Sequence, residues 1–294
     1  MANTSLAYKY KTANIAIKLI VVNVLVYVLF NIIPWLVGLG SGTFSQYFVL
    51  PSDVIRFLQQ PWSVVTYAFL HSGFGHLFWN MVFLYVFSRF VLNLFSEKKF
   101  LAIYLLGAIA GGVLFALLYN VLPVFRGTGV LLGASAAVNA IVVFIGTYTP
   151  DAEVRIFTFN VKLWWIAAFI VVKDILLLDA GNAGGLISHL GGAAFGFYYA
   201  KQLLAGNDIG LWFERLIDNV SGWFTKKSKR QKKSPLRTVH KNKKSSASSV
   251  KKTATATKSE QQQRIDAILD KISKSGYDSL SKAEKDFLFK AGKE

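Results

Sequence analysis

Long apolar runs separated by short polar breaks occupy residues 13–37, 74–95, 100–122, 133–148, 160–178 and 184–204. A transmembrane helix needs about 20 largely apolar residues to cross a hydrocarbon core of about 30 Å, so each run is a candidate span. The first is too long for the apolar centre of a secretory signal and is expected to be retained. The pattern predicts an all-α membrane protein, a six-transmembrane-helix bundle over residues 1–206. Between the first two spans, residues 41–72 carry Phe44, Tyr47, Phe48, Ile55, Phe57 and Trp62 among few charges. That makes a long first loop suited to the membrane interface.

Beyond the bundle the period changes. Ile209, Trp212, Phe213, Leu216, Val220 and Trp223 recur at helical spacing opposite Glu214, Arg215 and Asp218, which predicts an interfacial amphipathic helix over 207–225. Residues 226–260 are Lys-, Ser- and Thr-rich, too polar to bury a core, and are expected to form a disordered basic linker. Order returns in 261–294 as a small helical module. Ile265, Ile268, Leu269 and Ile272 share a face, Gly276 stops that helix, and Ser281 with Glu284 makes a capping box ahead of Phe287 and Leu288.

Composition agrees with a bilayer protein: 53% hydrophobic residues and a mean hydropathy of +0.40 are incompatible with a soluble domain. The formal charge of +17 invites a nucleic-acid reading, but 13 Lys and Arg fall between Lys226 and Lys258 with no acid among them, leaving +4 elsewhere. No aromatic residue interleaves with that tail, so anionic lipid headgroups are the expected partner and nucleic acid is not. The absence of cysteine excludes disulfides, thiol catalysis and thiolate-bound metals. No His is followed by Glu, as H-E-x-x-H would require, and no metal or cofactor is expected. Lys9, Lys11, Lys18, Arg89, Lys98, Lys99, Arg155 and Lys162 fall on one side of the predicted topology against Arg56 and Arg126 on the other. The positive-inside rule then puts both termini in the cytoplasm of a multi-pass protein of the cell membrane.

His71, His76 and His189 lie in or beside predicted spans, where polar groups are costly and usually functional. One of them alone would read equally well as a helix-packing hydrogen bond. Topology separates these readings. Spans two, four and six run in the same direction, so His76 and Asn80, Ser135, and His189 come to one level near one membrane face. The fourth run is short, which recesses Ser135 below that face. A neutral imidazole at His189 could take the Ser135 proton. His76 and Asn80, four residues apart, could aim donors at an oxyanion, joined by the Ser135 N–H at its helix N-terminus. Gly192 and Gly196, with the small residues around Ser135, would let spans four and six pack backbone to backbone. No acid stands near His189 in sequence, so the expected machinery is a Ser135–His189 dyad. Lys173 and Asp174, being adjacent, are expected to point apart and to serve packing.

These motifs resemble the rhomboid family of intramembrane serine proteases: PWSVVTYAFLHSGFGHLFWN at 61–80, GAS at 133–135 and HLGGAAFG at 189–196, each opening an even-numbered span. The resemblance covers residues 13–204 and implies a rhomboid-like bundle without cofactor that cleaves transmembrane protein substrates near the extracytoplasmic face. It implies Ser135 as nucleophile, His189 as general base, His76 and Asn80 as oxyanion donors, Gly133 shaping the serine loop and His71 supporting the site. Residues 265–287 are similar to a small C-terminal module of some bacterial rhomboids. Three positions depart from the family pattern: Ala136 for the glycine after the serine, Ser63 for the arginine after Trp62, and Asn139 for the aromatic one turn after the serine. Two rivals are a catalytically silent relative that binds or delivers membrane clients and a transporter. The second lacks an inverted repeat and a buried carboxylate cluster.

Overall fold

The computed structural model describes residues 5–40, 42–125, 129–156, 158–178, 181–224 and 256–291. It divides into two compact units, residues 1–229 and 230–294. In the first unit, helices stand at each of the six apolar runs: α1 (Ile15–Leu36), α2 (Phe74–Leu94), α3 (Glu97–Val121), α4 (Ser135–Tyr148), α5 (Leu163–Leu176) and α6 (Ala183–Leu204). Among the described residues α1, α2 and α3 are long and apolar enough to cross a membrane, whereas α4 is apolar but shorter.

Local chemistry sets the helix ends. Asn14 caps α1 by accepting from the Ile17 N–H at 3.0 Å, and Ser96 caps α3 by accepting from the Lys99 N–H at 3.2 Å. Within α1 the backbone widens to a π turn over Val28–Ile32, just before Pro34. Proline has no N–H to donate and its ring crowds the carbonyl four residues earlier, and the wider turn relieves that crowding.

Helix α4 is the centre of the bundle, with Ala136 through Gly146 buried. Its neighbours approach closely because they present glycine. A Cβ on Gly107 of α3 would fall 2.3 Å from the Ala140 Cβ, and one on Gly196 of α6 would fall 2.2 Å from the Ala140 carbonyl oxygen. Between helices in a bilayer such packing, rather than water exclusion, supplies the attraction.

The first loop is a compact layer of short helices held by backbone acceptors. Trp62 Nε1 donates to the Tyr47 carbonyl at 2.8 Å, Thr66 Oγ1 to that of Phe48 at 2.8 Å and Gln60 Nε2 to that of Val49 at 3.0 Å. Strand β1 (Leu50–Pro51) pairs antiparallel with β2 (Val130–Leu131), which leads into the loop before α4. Two strands, β3 (Glu153–Ile156) and β4 (Phe159–Lys162), form a hairpin between α4 and α5. The fifth apolar run therefore begins as strand, and its helix starts at Leu163. Phe159 and Val161 alternate with Asn160 and Lys162, a two-residue period that a hydropathy count does not separate from a helix.

After α6, the amphipathic helix α7 (Leu211–Phe224) is fastened to the α2–α3 turn through ions. Lys99 pairs with Asp208 and, at 3.4 Å, with Glu214, while Tyr199 donates to Asp208 at 2.8 Å. Burial raises the Asp208 pKa, but the bonds from Lys99 and Tyr199 outweigh it and hold the carboxyl below its ordinary value. Of the basic linker expected over 226–260, residues 226–255 lie outside the described residues, and 256–260, expected without structure, open a helix.

In the second unit, α8 (Ala256–Ser275) ends at Gly276, whose φ of +78° is the left-handed stop that glycine provides. A 3₁₀ turn leads to α9 (Lys282–Ala291), whose capping box forms as its sequence predicts: the Ser281 N–H donates to Glu284 at 2.7 Å, and the Glu284 N–H returns to Ser281 Oγ at 3.4 Å. The Ser281 N–H and then Lys271 hold the Glu284 carboxyl down at about 2.

Candidate active site

Three helices that begin at the same end of the bundle carry the polar cluster. Ser135 is the first residue of α4. The chain reaches it through Gly133, whose φ of +129° is a conformation L side chains rarely adopt, and whose N–H donates to the Tyr67 carbonyl at 2.9 Å. A Cβ on Gly133 would lie 2.7 Å from a carbon of the His76 ring, so the glycine lets that imidazole lie against the serine loop. On the other side, a Cβ on Gly192 would lie 2.0 Å from the Ala136 carbonyl oxygen. Glycine there brings α6 onto α4 at the residue after the serine, one turn from His189, and His189 Nε2 stands 2.6 Å from Ser135 Oγ.

His76 and Asn80 line the same cavity as Ser135 and His189, a space of about 680 Å³. Ser72 Oγ is 3.1 Å from His76 Nδ1, which leaves Nε2 toward Gly133. Asn80 Nδ2 donates to the His76 carbonyl at 2.8 Å, and an amide nitrogen has a second N–H to offer. His71 is buried and meets the His76 ring edge-on, with centroids 5.1 Å apart. Burial, and then the neighbouring His76, push the His71 imidazole down to about 3, so it acts as a neutral wall. Ser135, His189, His76 and Asn80 thus share one cavity, Gly133, His71 and Gly192 pack beside them, and Gly196 lies farther along α6 against Ala140.

One residue of that neighbourhood escaped the sequence reading. Asp174 Oδ2 lies 3.2 Å from His189 Nδ1, on the side of the ring opposite Ser135. The same oxygen accepts from Asn139 Nδ2 at 3.2 Å, and Lys173 Nζ meets Oδ1 at 2.7 Å. The expectation that no acid stands beside His189 is therefore corrected, as is the expectation that Lys173 and Asp174 point apart. A long lysine arm folds back over its neighbour. A signal was available, since Asp174 is the sole Asp or Glu in the six apolar runs, and an ionisable residue at such depth is a functional candidate by default. Helix α5 runs opposite to α4 and α6, so its last turn returns to the level where those two begin.

The carboxylate side chain of Asp174 has only acceptors to offer, so a hydrogen bond to His189 requires the proton on Nδ1. Nε2 is then an acceptor for the Ser135 hydroxyl. The order Asp174, His189, Ser135 runs from a buried acid through an imidazole to a hydroxyl at a helix N-terminus. Such an order can move a proton off the serine while holding the resulting imidazolium beside a negative charge.

A family model described as Rhomboid domain matches residues 58–206, and a second, described as a family of unknown function (DUF6576), matches residues 250–291. Among curated proteins, the chain is 33% identical over 145 residues to RHOMBOID-like protein 12, mitochondrial, of Arabidopsis thaliana, covering 45% of this chain and 43% of that protein. It is 28% identical over 227 residues to Rhomboid protein 1, mitochondrial, of Saccharomyces cerevisiae, covering 74% and 60%. It is 29% identical over 166 residues to Rhomboid-like protease 3 of Toxoplasma gondii, covering 55% and 59%. The chain thus spans roughly half the length of these relatives. Two of the three are mitochondrial by name, which overturns the expected placement in a cell membrane with cytoplasmic termini. Lysine and arginine asymmetry orients a chain in a membrane and carries no information about which membrane it is. The expected likeness to bacterial members finds no support in these eukaryotic relatives.

Proposed function

The chain belongs to the rhomboid family, and we propose that it is an intramembrane serine endopeptidase acting on transmembrane segments of other proteins. The observation that carries this reading is the 2.6 Å contact between Ser135 Oγ and His189 Nε2, at a helix N-terminus inside a cavity that His76 and Asn80 also line. In the proposed reaction Oγ bonds to the scissile carbonyl carbon while its proton passes to Nε2 and the carbonyl π pair moves onto oxygen. That oxyanion is met by donors from His76, Asn80 and the Ser135 N–H, with the helix dipole behind the last. The C–N bond then breaks, the amine leaves with the proton from Nε2, and water hydrolyses the acyl-serine by the same steps in reverse order.

The relatives' names point to a mitochondrial membrane as the setting. Residues 1–206 would form the catalytic domain and 207–225 an interfacial helix. The basic segment 226–260 would contact anionic lipid headgroups, and the module at 261–294 would dock a partner. Labelling with a serine-directed fluorophosphonate in detergent tests the central claim: the wild type should label and Ser135→Ala should not. A wild type that neither labels nor cleaves a transmembrane substrate would leave a client-binding relative or a transporter instead.

A further inference from the structure

We propose that Asp174 is a positioning residue for His189, itself clamped by Asn139 and charge-balanced by Lys173, so that the serine and histidine work with a buried acid behind the imidazole. The inference rests on the protease reading for its kinetic consequences, but its structural content stands apart from it. Asp174 is 1% exposed at the side chain, and a carboxylate at that depth is retained only with partners. It has three, each in a separate role. Lys173 covers Oδ1 from the cavity side. Asn139 and His189 share Oδ2 at 3.2 Å each. Asn139 is itself buried one turn below Ser135, so the residue that holds the acid and the residue that attacks are on one rigid helix.

The geometry assigns two tasks to Asp174. In the resting site it holds the proton of His189 on Nδ1, keeping Nε2 as acceptor for Ser135; without it the imidazole is free to adopt the other tautomer, which offers Ser135 a donor. During attack, when Nε2 gains the serine proton, the acid, itself buried, supplies a fixed negative charge beside the imidazolium. It does not take the proton itself. The aromatic residue expected by resemblance at position 139 would fix the imidazole by stacking. Asn139 replaces that contact with a hydrogen-bonded acid behind the ring, so the departure at 139 and the acid at 174 form one device.

The test combines kinetics with a spectroscopic readout in full-length protein. In ¹⁵N-histidine-labelled wild type in detergent, the His189 resonances, assigned by their loss in His189→Gln, should show the Nδ1–H tautomer. Asp174→Ala should convert them to the Nε2–H form or a mixture. With a transmembrane substrate, Asp174→Ala should lower kcat by about 10²–10⁴-fold with KM nearly unchanged. Asn139→Ala, which leaves the acid present, should lower it by about ten-fold. Asp174→Leu keeps the number and branching of side-chain atoms without charge, and should keep the melting temperature while losing kcat, which separates positioning from structural support. An unchanged tautomer in Asp174→Ala, or a kcat within about two-fold of wild type where the wild type cleaves, overturns the inference. If the wild type cleaves nothing yet the tautomer shifts in Asp174→Ala, positioning stands and the protease reading falls.

Discussion

Replacing Gly192 by alanine asks how tightly the two central helices control the candidate chemistry. The new Cβ would fall 2.0 Å from the Ala136 carbonyl oxygen and 2.8 Å from its carbonyl carbon. Non-bonded heavy atoms settle at about 3.5 Å, so α6 must retreat from α4 by about 1–1.5 Å at this level. The obstacle is backbone and cannot rotate away. Ser135 directly precedes Ala136, and His189 stands about one turn before Gly192, so the retreat acts on the 2.6 Å contact between them. Adding it along that direction gives about 3.6–4.1 Å, outside hydrogen-bond range. A misplacement of this size corresponds to about 10²-fold in rate, and overpacking costs about 1–3 kcal/mol of stability. Cleavage of a transmembrane reporter in detergent should therefore show kcat reduced by about 10²-fold with a smaller change in KM, together with a lower melting temperature. Adding Ala136→Gly should rescue neither quantity, because the clashing atom is a carbonyl oxygen. Wild-type kcat in Gly192→Ala, or rescue by Ala136→Gly, would refute the backbone-contact account.

At Gly107 the obstacle is a side chain, the Ala140 Cβ at 2.3 Å; Gly107→Ala should lower the melting temperature, and Gly107→Ala with Ala140→Gly should restore it in the same thermal assay. His76→Ala and Asn80→Ala should each lower kcat by about 10²–10³-fold while KM changes little, since donors to an oxyanion act on the transition state. A pure KM effect would assign them to substrate binding. Asp208 has a folded-state pKa below its unfolded value. It contributes stability in full above the unfolded value and loses it as pH falls through the folded one, so Asp208→Asn should flatten the dependence of melting temperature on pH below the ordinary aspartate range.

Much of this architecture was legible because long apolar runs are the least ambiguous signal a chain carries. The sixth helix starts one residue from its expected place and the second at the expected residue. The fifth starts late because Phe159 and Val161 of the alternating strand run into the apolar helix after it with no break between them. The meeting of Ser135 with His189 followed from counting helix directions, and that of His76 with Asn80 from helical spacing. That count, applied only to helices that begin at the site, passed over Asp174 on one that ends there. Adjacency in sequence then hid it further, because Lys173 reaches back to its neighbour in a way that Cβ directions do not foretell. Pairings such as Leu50 with Leu131 depend on how the first loop folds over the bundle, and no local period announces them.

Helix α4 has 14 residues, a length of about 21 Å against a hydrocarbon core of about 30 Å. On a lipid-facing helix that shortfall would be hydrophobic mismatch, met by thinning or distorting the bilayer around it. Here residues 136–146 are buried among other helices, so lipid never senses the short element. The surrounding α2 and α3, of 21 and 25 residues, set the thickness that the bilayer meets. The missing turns become a vertical allowance inside the protein, about 9 Å deep, which polar groups can occupy without perturbing the membrane outside.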